Sequence, residues 1–260
     1  MNPQQRKRVQ ARFGDFAQNY VDSKVHSASY SLDRLIELLD PQPGQYTLDI
    51  ATGGGHVALA LAKRGAQVIA SDLTPRMLQA ARARIQAEGY AIDYLQTEAG
   101  QIPFPAESFD RVTCRIAPHH FPNVSVFVRE CARVVRPGGI VGIVDQVGPK
   151  KHEANRYVNA FEKLRDPSHN WEYTQRDWDD FLVSAGLHIR HKELTRNRLN
   201  FKWWLDMQQV DPETAIRLHV MLRQAPEAAA KWLEPDLPAD VNNVGDIHFS
   251  LWQYILIAAK

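Results

Sequence analysis

From Tyr46 to Gln146 the chain switches repeatedly between two hydrophobic periods. Short β-branched runs, "YTLDIA", "AQVIASD", "AIDYLQTE", "FDRVTCRI" and "GGIVGIVDQ", are interleaved with the helical patterns "GHVALALAKRG", "TPRMLQAARARIQAEG" and "VSVFVRECARVVRPGG". Strands joined through helices imply parallel βαβ units with crossovers, not hairpins. "GIVGIVD" is apolar on both faces, as a strand covered from both sides must be. The expected fold is therefore α/β, with a mostly parallel sheet.

The flanks extend this core. Residues 6–21 carry Val9, Phe13, Phe16, Ala17 and Tyr20 at helical spacing, and a second helix over 29–39 stops at the turn cluster "DPQPG". Downstream, residues 152–165 and 174–185 read as helices and "LHIRHKEL" as a strand. Short helices follow from Phe201 to about Trp232, one opened by Asp211 and Pro212, and "IHFSLWQYILIAA" is a long strand. We expect a single domain over 1–260. Its parts are an N-terminal helical cap (1–40), a cofactor-binding core (45–146), helical insertions (147–172 and 200–245) serving as a substrate lid, and a final strand (246–260).

Composition excludes several partners. A net charge of +1 over 260 residues offers no field for nucleic acid or an anionic membrane. No apolar run approaches the ~18 residues of a membrane span. The basic stretch "QQRKRVQAR" lacks the apolar segment of a signal peptide. Cys114 and Cys131 have neither a disulfide framework nor metal-ligand spacing, which suits a reducing cytoplasm. No metal is expected.

The first strand ends in "LDIATGGGH". Gly53, Gly55 and Ala58 fit the G-x-G-x-x-A dinucleotide fingerprint, a pattern that a plain strand-to-helix turn also produces. The neighbouring acids separate the readings. Asp72 ends the second strand, where a carboxylate accepts ribose hydroxyls. Asp49, four residues before Gly53, would repel a pyrophosphate but suits a ligand carrying an ammonium group. A Tyr-x-x-x-Lys pair (Tyr20, Lys24) precedes the first strand, too early for hydride-transfer machinery. No Gly-Lys-Ser/Thr follows the glycines, so a P-loop is excluded.

With "QTEAGQIPFPAESFDRVTCRIAPHHF", "VVRPGGIVGIVD", "KLRDPSH" and the "ILIAAK" tail, the loop makes the chain resemble class I S-adenosylmethionine-dependent methyltransferases. Within them it is similar to the bacterial group related to ubiquinone and menaquinone C-methyltransferases. The resemblance implies a Rossmann-like, seven-stranded sheet and S-adenosyl-L-methionine as cofactor, leaving S-adenosyl-L-homocysteine as product. It implies that Asp49, Gly53 and Gly55 hold the methionine end and Asp72 the ribose, with Leu73 and Met77 on the adenine. Glu98 replaces the family's usual Asp toward the adenine amino group, and Ala99 offers its N–H. Arg115 would line the sulfonium end and Tyr20 would close over the cofactor.

For the acceptor, histidines are the candidate bases because they titrate near neutrality. His119 and His120 follow the fourth strand at its carboxyl end, and His169 follows a helix of the insertion. Local hydrogen bonding of the first two is the competing reading. His188 and His191 lack a third ligand and read as solvated. "FKWWLDM" is either core packing, an apolar wall for an acceptor, or a homodimer contact. The expected activity is methyl transfer to a small hydrophobic or aromatic metabolite, with quinone-precursor C-methylation the specific reading. An NAD(P)-dependent oxidoreductase and a non-catalytic S-adenosylmethionine-binding module are the alternatives.

Overall fold

The computed structural model describes residues 3–15, 29–241 and 243–260. The apolar runs form one seven-stranded sheet, ordered β3-β2-β1-β4-β5-β7-β6. Its strands are β1 (Tyr46–Ile50), β2 (Gln67–Asp72), β3 (Asp93–Gln96), β4 (Phe109–Arg115), β5 (Val135–Val147), β6 (His188–Asn200) and β7 (His248–Ala259). Pairings from β3 through β5 are parallel, and β7 runs antiparallel to both of its neighbours.

The described helices are α1 (Pro3–Asp15), α2 (Tyr30–Leu39), α3 (His56–Lys63), α4 (Pro75–Ala87), α5 (Val124–Val134), α6 (His152–Arg165), α7 (Gln175–Ser184), α8 (Phe201–Asp206), α9 (Pro212–Arg223) and α10 (Glu227–Leu233). Their starts follow from local chemistry. Ser29 accepts the Leu32 N–H at the head of α2, and Asp211 accepts that of Thr214 at α9. Thr174 and Asp177 form a reciprocal capping box on α7. Thr74 precedes Pro75 at the start of α4 but makes no side-chain cap bond; its N–H is held by Asp72 instead.

Period-two alternation splits the sheet's side chains between two layers. Leu48, Val112, Ile143 and Leu256 pack with Phe127, Cys131 and Trp178. Ala70, Val144, Ile255 and Ile257 pack with Leu35, Leu39, Leu61 and Ile85. A third cluster, built on Phe161, Phe201, Trp204, Leu218 and Phe249, belongs to the insertion and the start of β7. Each such large side chain contributes roughly 1.5–3 kcal/mol by leaving water.

The α5–β5 junction and the end of β6 differ from the sequence reading. α5 stops at Val134, and β5 begins at Val135, before the two glycines; the β4–β5 ladder shifts register across this stretch. β6 runs through to Asn200, paired with β7 as far as His248. Its charged outer residues masked it as a strand, yet they are what an edge strand presents to water. The N-terminal helix is described over 3–15, so the expected continuation to residue 21 lies outside the described residues, as does Tyr20.

β1 pairs with β2 on one side and β4 on the other. The strand order therefore reverses at β1/β4, and open α/β sheets bind ligands beyond the carboxyl ends of the strands at such a reversal.

Candidate functional site

A cavity of about 370 Å³ opens at that reversal, within the ~300–1,000 Å³ typical of small-molecule sites. Its floor is the loop leaving β1. Thr52 N–H donates to Ser71 O (2.8 Å) and Gly55 N–H to Thr52 O (2.9 Å), folding the loop back on the sheet. Gly53 has φ +53°, and a Cβ there would meet no atom within 4 Å, so its backbone faces open cavity. Gly55 serves a different purpose. At φ +76°, its Cβ would lie 3.0 Å from Ala81 Cβ and 3.1 Å from Ile85 Cδ1, so its bareness lets the loop pack on α4. Gly54, rather than Gly55, joins Gly53 in the lining.

Two buried carboxylates organise this floor. Asp49 accepts hydroxyl hydrogen bonds from Thr52 (2.6 Å, Oδ2) and Thr113 (2.8 Å, Oδ1). Burial pushes its carboxyl up to about 6 against those two bonds. Asp72 accepts the Gly53 N–H (3.0 Å, Oδ2) and the Thr74 N–H (2.8 Å, Oδ1). Burial raises its carboxyl too, opposed by the same N–H donors. Each Asp72 oxygen still has a second lone pair for an outside hydroxyl.

The far wall carries Leu73, Met77, Thr97, Glu98, Ala99 and Gln101. Glu98 pairs with Arg6 of α1. Gln10 Nε2 of the same helix donates to Leu73 O at 3.1 Å, and Val9 and Phe13 line the cavity directly. Arg115 also lines the cavity; its guanidinium donates to Ser29 Oγ (2.6 Å), and burial lowers it to about 10. Asp49, Asp72 and Glu98 thus face one arginine around the lining. This is a poor setting for a pyrophosphate and a good one for a nucleoside bearing cationic sulfur and ammonium, so the residues present fit S-adenosylmethionine.

A second cavity, of about 80 Å³, shares Phe13, Ile116 and His120 with the first. All three candidate histidines are buried here, with ring centroids 4.2 Å (His119–His120), 5.8 Å (His119–His169) and 6.4 Å (His120–His169) apart. The backbone explains the gathering. Pro118–His120 is a single 3-10 turn after β4, and its His119 carbonyl accepts the N–H groups of Asn170 (2.8 Å) and Trp171 (3.0 Å). The "RDPSH" turn after α6 is thereby tied to the carboxyl edge of the sheet.

The three rings differ in electrostatics. His119 Nδ1 lies 2.6 Å from Asp145 Oδ1. Burial opposes the charged form of His119, but Asp145 outweighs it and holds the imidazole above its usual value. Burial, then repulsion from His119, lowers His120 to about 3. Burial, then both neighbouring histidines, lowers His169 to about 2. His120 and His169 are therefore neutral at physiological pH.

The aromatic segment resolves into two roles. Phe201 and Trp204 are core, Trp204 stacking on Phe161 at 5.0 Å, while Trp203, Trp204 and Met207 also wall the smaller cavity. Arg165 donates to Trp204 O, and Asp166 caps α6 and accepts from Ser168 and Gln208. His188 is exposed and His191 meets Glu193 (3.1 Å), both on the edge strand. His56 lines the larger cavity at the head of α3.

Of the site residues expected from sequence, Asp49, Gly53, Asp72, Leu73, Met77, Glu98, Ala99 and Arg115 line the larger cavity and His119, His120 and His169 the smaller; Gly55 lines neither. The sequence reading passed over Gly54, the loop-tying hydroxyls of Thr52 and Thr113, and Asp145. A carboxylate ending the buried run "GIVGIVD" was the available signal for Asp145.

A methyltransferase-domain family model matches residues 48–143. The chain is 36% identical over 194 residues to YcgJ of Bacillus subtilis, an uncharacterised methyltransferase, spanning 74% of this chain and 77% of that one. It is 34% identical over 120 residues to the demethylmenaquinone methyltransferase of Thermus thermophilus, spanning 45% of this chain and 54% of that protein. A solved structure from Bacillus halodurans, 33% identical, superposes with a TM-score of 0.83, covering 88% of this chain and 98% of that one.

Proposed function

This chain belongs to the class I S-adenosylmethionine-dependent methyltransferases, and from that premise we propose that it holds the cofactor in the larger cavity and methylates a small hydroxylated ring in the smaller one. The observation that carries this reading is the meeting of the two cavities at Phe13, Ile116 and His120. A non-catalytic binding module would have no use for that junction, and the carboxylates around the loop oppose the pyrophosphate of a nicotinamide cofactor.

In this reading Asp49 and the backbone of Gly53 and Gly54 receive the methionine end. The free lone pairs of Asp72 accept the ribose hydroxyls. Leu73 and Met77 pack on the adenine, with Glu98 and the Ala99 N–H on its polar edge, and Arg115 closes the sulfonium end. The bound cofactor supplies a methyl group on a cationic sulfur already activated for in-line displacement. The chain's own contribution is alignment, exclusion of water and proton removal.

His119 is the group placed to take that proton. Its Nδ1–H donates to Asp145, which fixes the tautomer and leaves Nε2 as the lone-pair nitrogen. General-base assistance of this kind contributes about 10²–10⁴-fold in rate. His120, neutral and shared by both cavities, is a wall between donor and acceptor. Trp203, Trp204, Leu199 and Leu251 give the smaller cavity apolar lining, and His119, Gln146 and Gln253 give it polar lining. That split suits a single ring with one ionisable hydroxyl, and a relative acting on demethylmenaquinone supports quinone-precursor C-methylation.

In this reading residues 45–146 form the cofactor core, α1 and α2 belong to the N-terminal cap, the described parts of 147–172 and 200–245 form the lid over the acceptor, and 246–260 finishes the sheet. No helix among the described residues is long and apolar enough to cross a membrane. Both cysteines are buried and unbridged, which supports a reducing cytoplasm. Trp204 and Phe201 are occupied within the chain, so they lend no support to a dimer contact. A crystal structure with S-adenosylhomocysteine tests the assignment: its sulfur should sit at the junction beside Ile116 and His120. A sulfur turned toward Glu98 would remove the smaller cavity from the acceptor's path.

A further inference from the structure

Next to the histidines, the described residues gather a set of side chains that methyl transfer does not require. Glu162 on α6, His169 in the following turn and Glu172 beyond it each offer one ligand atom, all within 4.8 Å of one another. They are 3%, 1% and 1% exposed. Two carboxyls so placed are costly, because burial and mutual repulsion both oppose ionisation. Burial pushes Glu162 up to about 7, and burial with Glu162 and Asp145 nearby lifts Glu172 well above the carboxylate range. Hydrogen bonds are the usual remedy. Yet Glu162 Oε1 and Glu172 Oε1 are fully buried and have no hydrogen-bond partner among the described residues. Protein interiors seldom leave such atoms unmatched without a reason, a bound ion being one.

The imidazole is set up for the same ligand. Asn159 Nδ2 donates to Asn155 O (3.0 Å) and Asn155 Oδ1 (2.8 Å), which fixes the direction of its amide. Its Oδ1 accepts the Glu172 N–H at 2.6 Å and lies 2.9 Å from His169 Nε2. An oxygen can only accept, so Nε2 carries the hydrogen and Nδ1 keeps the lone pair. Metal-binding histidines are oriented in this way, by donating the second ring N–H to an oxygen.

We propose that Glu162, His169 and Glu172 form a binding site for one divalent first-row transition-metal cation. One imidazole nitrogen and two carboxylate oxygens suit zinc, manganese or iron(II), not the all-oxygen shells of calcium and magnesium. Two ionised carboxylates neutralise the doubly charged ion, which removes the objection to burying them. Ligand bonds of about 2.0–2.2 Å put ligand atoms roughly 3–3.5 Å apart, so the three side chains need to close in only slightly. Glu162 and His169 also line the smaller cavity. The remaining coordination position therefore faces that cavity and takes water or an oxygen of its occupant. The site rests on these side chains alone and stands whether or not the acceptor assignment does.

Titration of the chelator-stripped full chain with cobalt(II) alone, read by visible absorption and calorimetry, tests it. One equivalent should bind with the intense bands of a low-coordinate ion and be displaced by zinc. Glu162→Gln and Glu172→Gln keep the shape and remove a buried charge, so both should fold. Each should weaken binding by roughly 100-fold or more, beyond what loss of an outer partner produces. His191→Ala, on the edge strand, should change nothing, and S-adenosylhomocysteine binding should survive in all three variants. Absence of stoichiometric cobalt in the native chain, or a cobalt spectrum and affinity unaltered in both glutamine variants, would overturn the site and leave the two carboxyls sharing a proton.

Discussion

In the proposed reading, Asp49 is the side chain that contributes most to cofactor binding. It is fully buried, bound by two threonine hydroxyls, and its carboxyl is raised to about 6 chiefly by burial. A cationic ligand favours the ionised form. Affinity for S-adenosylmethionine should therefore increase as pH rises through about 6, and fall below it by at most about tenfold per pH unit. The sign for stability is opposite. A folded value raised above the unfolded ~3.9 stabilises the empty protein fully at pH below ~3.9, and that contribution is lost as pH rises through about 6, on the order of 3 kcal/mol. Calorimetric titrations across this range should show both the slope in the native chain and its flattening in Asp49→Asn; a pH-independent native affinity would argue against a direct electrostatic role. Asp49 and Asp72 were legible in the sequence from their places within and at the end of the first two strands, and Glu98 through the family resemblance. That Gly54 and not Gly55 lines the cavity beside Gly53 was not legible, since spacing does not reveal which glycine turns toward the cavity and which toward a helix.

At the scale of elements, the turn from β1 into α3 sets the site. Gly55→Ala puts a Cβ at positive φ and within 3.0 Å of Ala81 Cβ on α4. Left-handed backbone costs an L-residue about 1–2 kcal/mol, and the close contact adds to it, so we expect about 2–4 kcal/mol of lost stability in urea unfolding. Gly53→Ala meets no neighbour within 4 Å and should cost only the backbone term. Equal losses in the two variants would mean that Gly55 has no packing role. Alternating hydrophobicity made β1, β2, β4 and β7 readable. β6 was legible only in its first half, because its remaining residues are charged and gain strand structure from pairing with β7. The histidine cluster was least legible of all. Pro118–His120 and "RDPSH" are far apart in sequence and meet through two N–H groups on the His119 carbonyl, a contact that no local pattern encodes.

Across the whole molecule, the sheet and its reversal at β1/β4 carry two cavities that meet at Phe13, Ile116 and His120, one proposed for the cofactor and one for the acceptor. α1 ties the parts together: Gln5 donates to Ser168 O (2.9 Å), Gln10 to Leu73 O (3.1 Å) and Arg12 to Arg165 O (3.0 Å), reaching both cavities from one helix. The central proposal is that the larger cavity binds S-adenosylmethionine through Asp72. Isothermal calorimetry of the native chain and of Asp72→Ala with S-adenosylmethionine and S-adenosylhomocysteine measures this directly. Both ligands should bind the native chain, and the variant should lose about 1.5–3 kcal/mol for each, roughly 10- to 100-fold in affinity. Equal binding by the native chain and the variant would contradict the account.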